Sequence, residues 1–302
     1  MKLIMGSDDF GYNEVFNMGL KKVFQHHTVS NVALMTDTPG NIDAFRFLRE
    51  HPEVSVTWHQ HFRGRPVVDP SKVPSLLNKK GGFRYREVWD KDTFDMVAIN
   101  RKFEGVVYEE ALMELRAEME LCAKYMGRVP DFGGGRGNNA VADATRQVCE
   151  EFGIKNARAM KETAVPITHI PQPQDPCYLN RISEDSYTRN CCYDPMAYLE
   201  EDKQGVLQHE CSQITWHAGF FDDDFFMDGS YFYNGDQKLF EPSPLRDCYM
   251  LCSDSLKAWI KKNKVELVSM VDAAYGTKKF QNYLRSIDSE LWIGNILKGE
   301  EA

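Results

Sequence analysis

Three short stretches of the chain hold side chains suited to acid–base or metal chemistry. Residues 7–11, SDDFG, set Asp8 beside Asp9 at the end of an apolar run. Successive side chains on a strand point to opposite faces, but at a strand end the chain turns and both carboxylates can address one site. Two adjacent acids can then divide the work of metal ligand and general base. The plainer alternative makes one of them a helix cap and leaves the other solvated. Residues 57–62, TWHQHF, carry His59 and His61 two positions apart. On a strand both imidazoles face one side, which suits two ligands of one metal. If the strand has already turned, only one faces inward and the other is a packed or half-exposed histidine. Residues 215–226, TWHAGFFDDDFF, put His217 at the end of a late strand, ahead of Asp222, Asp223 and Asp224. Histidine is the usual proton donor near neutral pH. Phe220, Phe221, Phe225 and Phe226 crowd the same stretch, either as faces for a sugar ring or as anchors that bury the loop.

A fourth stretch, DFGGGRGNN at 131–139, is harder to place. Its GRGNNA portion matches the G-x-G-x-x-A dinucleotide pattern, but the preceding strand is at best VPDF and no acid stands at the right place on the next strand. The G-K-[ST] of a phosphate-binding P-loop is absent. Two readings stay open: a nest of backbone N–H groups with Arg136 as counter-charge, or a flexible strand-to-helix turn.

These residues need elements to hold them. Lys2–Ser7, Val29–Met35, HPEVSVTWH, SQITWHAG and KVELVSM read as strands. Helical patterns cover Val15–Phe24 and Ile42–Glu50. Tyr108, Leu112, Leu115, Met119, Cys122 and Met126 recur at steps of three and four, the clearest amphipathic helix, with Gly127 and Pro130 ending it. Val141, Ala144, Val148 and Phe152 mark another helix, capped by Asn139 and stopped by Gly153. Alternating strands and helices predict an α/β fold with a mainly parallel sheet, and the number of units suits a barrel. Residues 64–105 and 160–205 are poorly periodic and read as long loops, which at the C-terminal ends of barrel strands build active sites. The expected division is a barrel over 1–272 and a helical extension over 273–302.

Composition sets the outer bounds. The 302 residues are 42% hydrophobic, enough for a sizeable core. Thirty-six basic against 45 acidic residues give a net charge of −9, which disfavours a nucleic-acid partner and an anionic membrane surface. No run of about 18 apolar residues occurs, so no membrane-spanning helix is expected. The N-terminus lacks the pattern of a signal peptide. Eight cysteines without a C-x-x-C pair read as reduced thiols of a cytoplasmic protein.

In order along the chain, LIMGSDDFGYN, NMGL, VSNVALMTDTPG, HPEVSVTWH, GRPV, VPSLLNKKGGF, GRVPDF, HAGFFD and the late Arg246 resemble the YdjC-like carbohydrate deacetylase family over about residues 1–272. The resemblance implies a deformed β/α barrel of the TIM-like kind and a divalent metal such as magnesium or zinc. It also implies removal of acetyl groups from N-acetylated sugars such as chitooligosaccharides, and a homo-oligomer. It makes Asp8 the general base, Asp9 and His59 metal ligands, and His217 the donor to the leaving amine. Phe220, Asp222, Asn138 and Arg246 fall in the expected substrate site.

The departure from the family is confined to one motif. After the proline matched by Pro130 the family carries His-x-Asp-Ser-His-x-His; here Phe132, Gly134, Arg136 and Asn138 stand at the four marked positions. A protonated guanidinium has no lone pair to donate, so Arg136 cannot be a ligand. At about 4 Å it would repel a unit positive charge by roughly 4 kcal/mol at an effective dielectric of 20. Two functions follow. One is a hydrolase with an altered site, in which His61 supplies the missing ligand or Arg136 stabilises the developing oxyanion. The other is a non-catalytic sugar or anion binder, holding no metal, in which Arg136 grips an anionic group or pairs with Asp8 or Asp9.

Overall fold

The architecture follows from a nine-residue, mostly buried strand at the start of the chain, with the other strands paired outward from it. The computed structural model describes residues 1–60, 62, 64–79, 81–83, 103–135, 137–156, 160, 162–171, 192–221 and 243–298. Strand β1 (Lys2–Phe10) is followed by helix α1 (Glu14–Phe24), β2 (Asn31–Leu34), α2 (Asn41–Arg49) and β3 (Ser55–Trp58). Helices α3 (Tyr108–Met126) and α4 (Ala140–Phe152) come next, then β4 (Ile167–His169), α5 (Pro195–Glu201) and β5 (Cys211–Trp216). The chain closes with α6 (Ser243–Leu251), α7 (Asp254–Lys262), β6 (Glu266–Leu267), α8 (Met270–Tyr275), α9 (Lys279–Ser286) and α10 (Ile293–Lys298).

The strands pair in parallel in the order β3-β2-β1-β5-β4, with β6 joining the start of β1. Beyond β3 the sheet continues through single bridges, Thr57 to Phe132 and Phe132 to Lys155. The result is a curled parallel sheet with helices around it, a deformed β/α barrel of the TIM-like kind. Parallel strands joined by crossover helices must bury both faces, and β1 does so. Leu3 and Met5 enter the large cluster under the helices, whereas Ile4 joins Phe132, Cys211, Val268, Met270, Ala273 and Ala274 in a second cluster. The alternation of Leu3, Ile4 and Met5 is the two-residue period of a strand packed on both sides. Strand β6 and helix α8 therefore fill the end of the sheet where β1 begins, leaving the C-terminal strand ends for chemistry. Helix α8 runs across residues 272 and 273, so Asp272 and Ala273 lie on one helix.

The helix boundaries have local causes. Asn13 caps α1 by accepting from the Phe16 N–H at 2.7 Å, and Asn139 caps α4 by accepting from the Ala142 N–H at 2.9 Å. Gly127 and Gly153 end α3 and α4 in the left-handed conformation that glycine adopts without steric cost. The expected helix over 108–126 is present with Leu115, Met119, Cys122 and Met126 buried and Tyr108 and Leu112 half-buried, and Glu114 and Glu118 are buried as well. Within the stretch expected to be loop, β4 and α5 add regular structure. The expected KVELVSM strand is reduced to the two residues of β6.

Candidate functional site

The site begins with an irregularity in β1. Its pairing with β2 runs Ser7 to Val32 and then Phe10 to Leu34, so three steps on β1 face two on β2. The extra residue is absorbed at Asp8 and Asp9, and Asp9 takes φ 65°. A left-handed backbone costs a non-glycine residue of order 1 kcal/mol or more, and such strain gathers where function requires it. Without the bulge, Asp8 and Asp9 would point to opposite faces. With it, both carboxylates reach one imidazole: His59 Nε2 lies 3.1 Å from Asp9 Oδ1 and 3.9 Å from Asp8 Oδ2. Asp9 is fully buried, whereas Asp8 keeps 17% and His59 21% of its side-chain surface exposed.

His59 follows β3 and remains in register, its N–H donating to the Leu34 carbonyl at 2.9 Å. Its neighbour Trp58 is locked at both ends. The Trp58 amide donates to the Phe132 carbonyl at 2.7 Å and its indole N–H to Thr36 Oγ1 at 3.0 Å. The turn after Asp9 is held by Asn17, fully buried on α1. Asn17 Oδ1 accepts from the Gly11 N–H at 2.7 Å, and its amide group donates to the Gly40 carbonyl and to Asp43 Oδ2, each at 2.9 Å.

His217 stands at the end of β5, the other neighbour of β1, and is half-buried. Three successive amides fix its turn. The His217 N–H donates to Asp247 Oδ2 at 2.9 Å, the Ala218 N–H to Ser7 Oγ at 3.1 Å, and the Gly219 N–H to the Pro244 carbonyl at 3.3 Å. Helix α1 presses on this turn so closely that a Cβ on Gly19 would fall 2.6 Å from the Gly219 carbonyl carbon. Arg246 is turned toward the same region, its Nη1 donating to the Tyr193 carbonyl. Phe220 is half-buried and packs against the main core. Asn138 is exposed just ahead of α4.

The glycine run is a packed corner at Gly135. A side chain there would drive into the Ala142 carbonyl oxygen and lie 2.7 Å from the Ala142 Cα, in the first turn of α4. Phe132 is buried in the sheet, between its bridges to Thr57 and Lys155. His61, Arg136 and Asp222 lie outside the described residues.

Behind the carboxylate–imidazole group sits a layer that the sequence did not announce. Thr36 Oγ1, which receives the Trp58 indole, bonds in turn to Glu118 Oε2, and Glu118 is almost wholly buried. Burial, with the charges of Asp37 and Glu114 beside it, pushes the Glu118 carboxyl well above the usual carboxylate range. Burial likewise pushes Glu114 up to about 7. Glu114 also accepts from the Val67 and Val68 amides, at 2.7 and 3.2 Å, and so anchors the segment after His59.

Asp9 and His59 suit two adjacent positions on one divalent ion. Their carboxylate oxygen and imidazole nitrogen are donor types that a divalent ion would take. Among the described residues no group of three or more His, Cys, Asp or Glu is arranged to hold a metal. No helix among them is long and apolar enough to cross a membrane.

Known proteins resemble the chain as a whole. A family model described as YdjC-like protein matches residues 2–262. A carbohydrate deacetylase of Clostridium beijerinckii is 22% identical over 279 residues, covering 90% of this chain and all of that protein. A carbohydrate deacetylase of Geobacillus stearothermophilus is 39% identical over 84 residues, 28% of this chain and 33% of that protein. The matched stretch thus spans about a third of the length of that relative, and likewise of one from Brevibacillus brevis. A solved structure from Enterococcus faecalis V583, described as a cellobiose-phosphate cleavage protein, shares the fold with a TM-score of 0.61 at 19% identity. That match covers 90% of this chain and 98% of the other.

Proposed function

Because the chain belongs to the YdjC-like protein family, we propose that it is a hydrolase of the carbohydrate deacetylase type, acting on N-acetylated sugars through a metal site altered at its third ligand motif. The observation that carries this reading is the meeting of Asp8, Asp9 and His59 at the ends of β1 and β3, with 3.1 Å between His59 Nε2 and Asp9 Oδ1. Asp9 and His59 are the two residues that would hold the ion, with His61 as the candidate third donor. A bound divalent ion there would polarise the amide carbonyl and lower the pKa of a coordinated water.

The chain's own groups divide the remaining work. Asp8 stays open to solvent while its neighbour is buried, and it takes the proton of the attacking water. His217 protonates the amine as the C–N bond breaks, so acetate and a free amino sugar leave. Arg136 stabilises the developing oxyanion if it faces the site. Phe220 offers part of its ring to the sugar, and Arg246, Asn138 and Asp222 are the candidate polar contacts.

The second reading is a sugar or anion binder without catalysis. It is favoured by the four changed motif positions together with the corner at Gly135, where α4 fills the space a side chain would need. One experiment separates the two. The protein is incubated with N-acetylated chitooligosaccharides and added magnesium or zinc, and products are read by mass. Oligomers lighter by whole acetyl groups support the hydrolase. Unchanged oligomers that nevertheless bind, by calorimetry, support the binder. His61→Ala should lower bound metal if His61 is the third donor, and unchanged metal content removes it from the site.

A further inference from the structure

We infer that Asp247 is the positioning residue for His217: its buried carboxylate fixes the backbone of the turn at the end of β5 that carries the imidazole. The inference deepens the hydrolase reading and rests on His217 being the proton donor.

Asp247 lies on α6 and is completely buried. A carboxylate so placed is costly unless it accepts strong hydrogen bonds, and this one accepts bonds of different origin from described residues. Oδ2 takes the His217 backbone N–H at 2.9 Å, and Oδ1 takes the Tyr193 hydroxyl at 2.8 Å. Tyr193 is itself fixed, since its carbonyl receives Arg246, the residue before Asp247. The carboxylate therefore ties β5, α6 and the segment before α5 at one point.

The bond to His217 differs in kind from those of the next two residues. Ala218 is tied to Ser7, the residue before Asp8, and Gly219 to the backbone of α6. The Ser7 bond sets the spacing between the two strand ends, β1 and β5, that carry the base and the acid. The Asp247 bond sets the peptide plane at His217 itself, and with it the direction of the Cα–Cβ bond. Ser7 and Asp247 together define where the acid stands relative to Asp8. A misplacement of about 1 Å at a reacting group can cost on the order of 100-fold in rate.

The test compares Asp247→Ala with Asp247→Asn in the full-length protein. Asparagine keeps an oxygen for the His217 N–H and can donate its amide to the Tyr193 hydroxyl oxygen, so it preserves the position without the charge. Alanine removes both acceptors. The expected result for alanine is a fall in kcat of about 10- to 100-fold with KM within about twofold of wild type. Asparagine should restore kcat to within about threefold of wild type by the same geometric argument.

Selective nitrogen-15 labelling of histidine supplies a readout independent of turnover. The His217 amide proton, bonded to a carboxylate, should resonate downfield in the wild type and lose that shift in Asp247→Ala. Wild-type kcat in Asp247→Ala, or an unshifted His217 amide in the wild type, overturns the inference. So does an equal loss in both variants that tracks their loss of thermal stability, since that assigns Asp247 to the core alone. If the wild type releases no acetate, the hydrolase reading fails, and the amide shift alone decides whether Asp247 positions His217. If Asp247→Ala does not fold, Asp247→Asn carries the test. A kcat down by more than about 10-fold in a fully folded Asn variant, with the His217 amide unmoved, contradicts positioning by geometry.

Discussion

Two strand exits on the same face of the sheet have been put to opposite uses. At the end of β1 the backbone is bulged and left-handed at Asp9, and two acids converge on His59. At residues 132–135 the side chains are a buried phenylalanine and three glycines, and α4 packs against the last of them, Gly135. The first exit carries strain in order to gather charge. The second has no side chain at Gly135, where a helix packs. A barrel can place chemistry at any of its strand ends, and here those ends differ in whether substitution should damage activity or stability.

The largest expected effect breaks the first exit. Asp9→Gly removes one carboxylate and relieves the left-handed backbone. Acetate release should fall by about 10²–10³-fold, as when a preorganised charge is removed from the site. Stability should rise by about 1 kcal/mol, because glycine accepts positive φ without strain. Activity assays with denaturant melts on the same preparation check both halves. A variant that is less stable than wild type would mean that Asp9 is retained for the fold.

The second exit should respond the other way. Gly135→Ala inserts a methyl group against the first turn of α4 and should cost about 1–3 kcal/mol, the usual range for overpacking. The folded fraction should turn over substrate at the wild-type rate. A shift of the urea midpoint without a change in specific activity is the expected pair of results. Lost activity with unchanged stability would make the corner part of the site.

A smaller effect sharpens the contrast through pH. Glu114 anchors the segment after His59 with a carboxyl held up at about 7, above the 4.5 of a free glutamate, chiefly by burial. In the native state it keeps its proton where the unfolded chain has lost it. Its contribution is therefore full below about 4.5 and is lost as pH rises toward 7. Glu118 is displaced in the same direction. Wild-type stability should fall across that window, and Glu114→Gln should flatten the fall, as urea midpoints at pH 5 and pH 8 will read. An equal slope in both proteins would remove Glu114 as its source.

Much of this was visible in the sequence because it was local. Periodicity and end signals located α3 and α4, with Asn139, Gly127 and Gly153 at their expected posts. The meeting of Asp9 with His59 was expected from the family resemblance, each strand end alone leaving a plainer reading open. What was not legible depends on contacts distant along the chain. The bulge at Asp8 and Asp9 exists only against the register of β2. Nothing in the local pattern marks Glu114 and Glu118 as buried, and their partners Val67, Val68 and Thr36 lie far along the chain. Asp247 stood next to Arg246, already marked by the resemblance, but its bonds to His217 and Tyr193 span 30 and 54 residues. The three residues of β4 are too few to show an alternation.

The most direct test of the account is acetate release by the wild type and by Asp8→Asn, in matched reactions with an N-acetylated sugar oligomer and a divalent ion. The account predicts one free amine for each acetate from the wild type, and a rate about 10²-fold lower in the variant, the lower end of the range for loss of a general base. Equal rates in the two proteins, or no acetate from the wild type with any added ion, would contradict it.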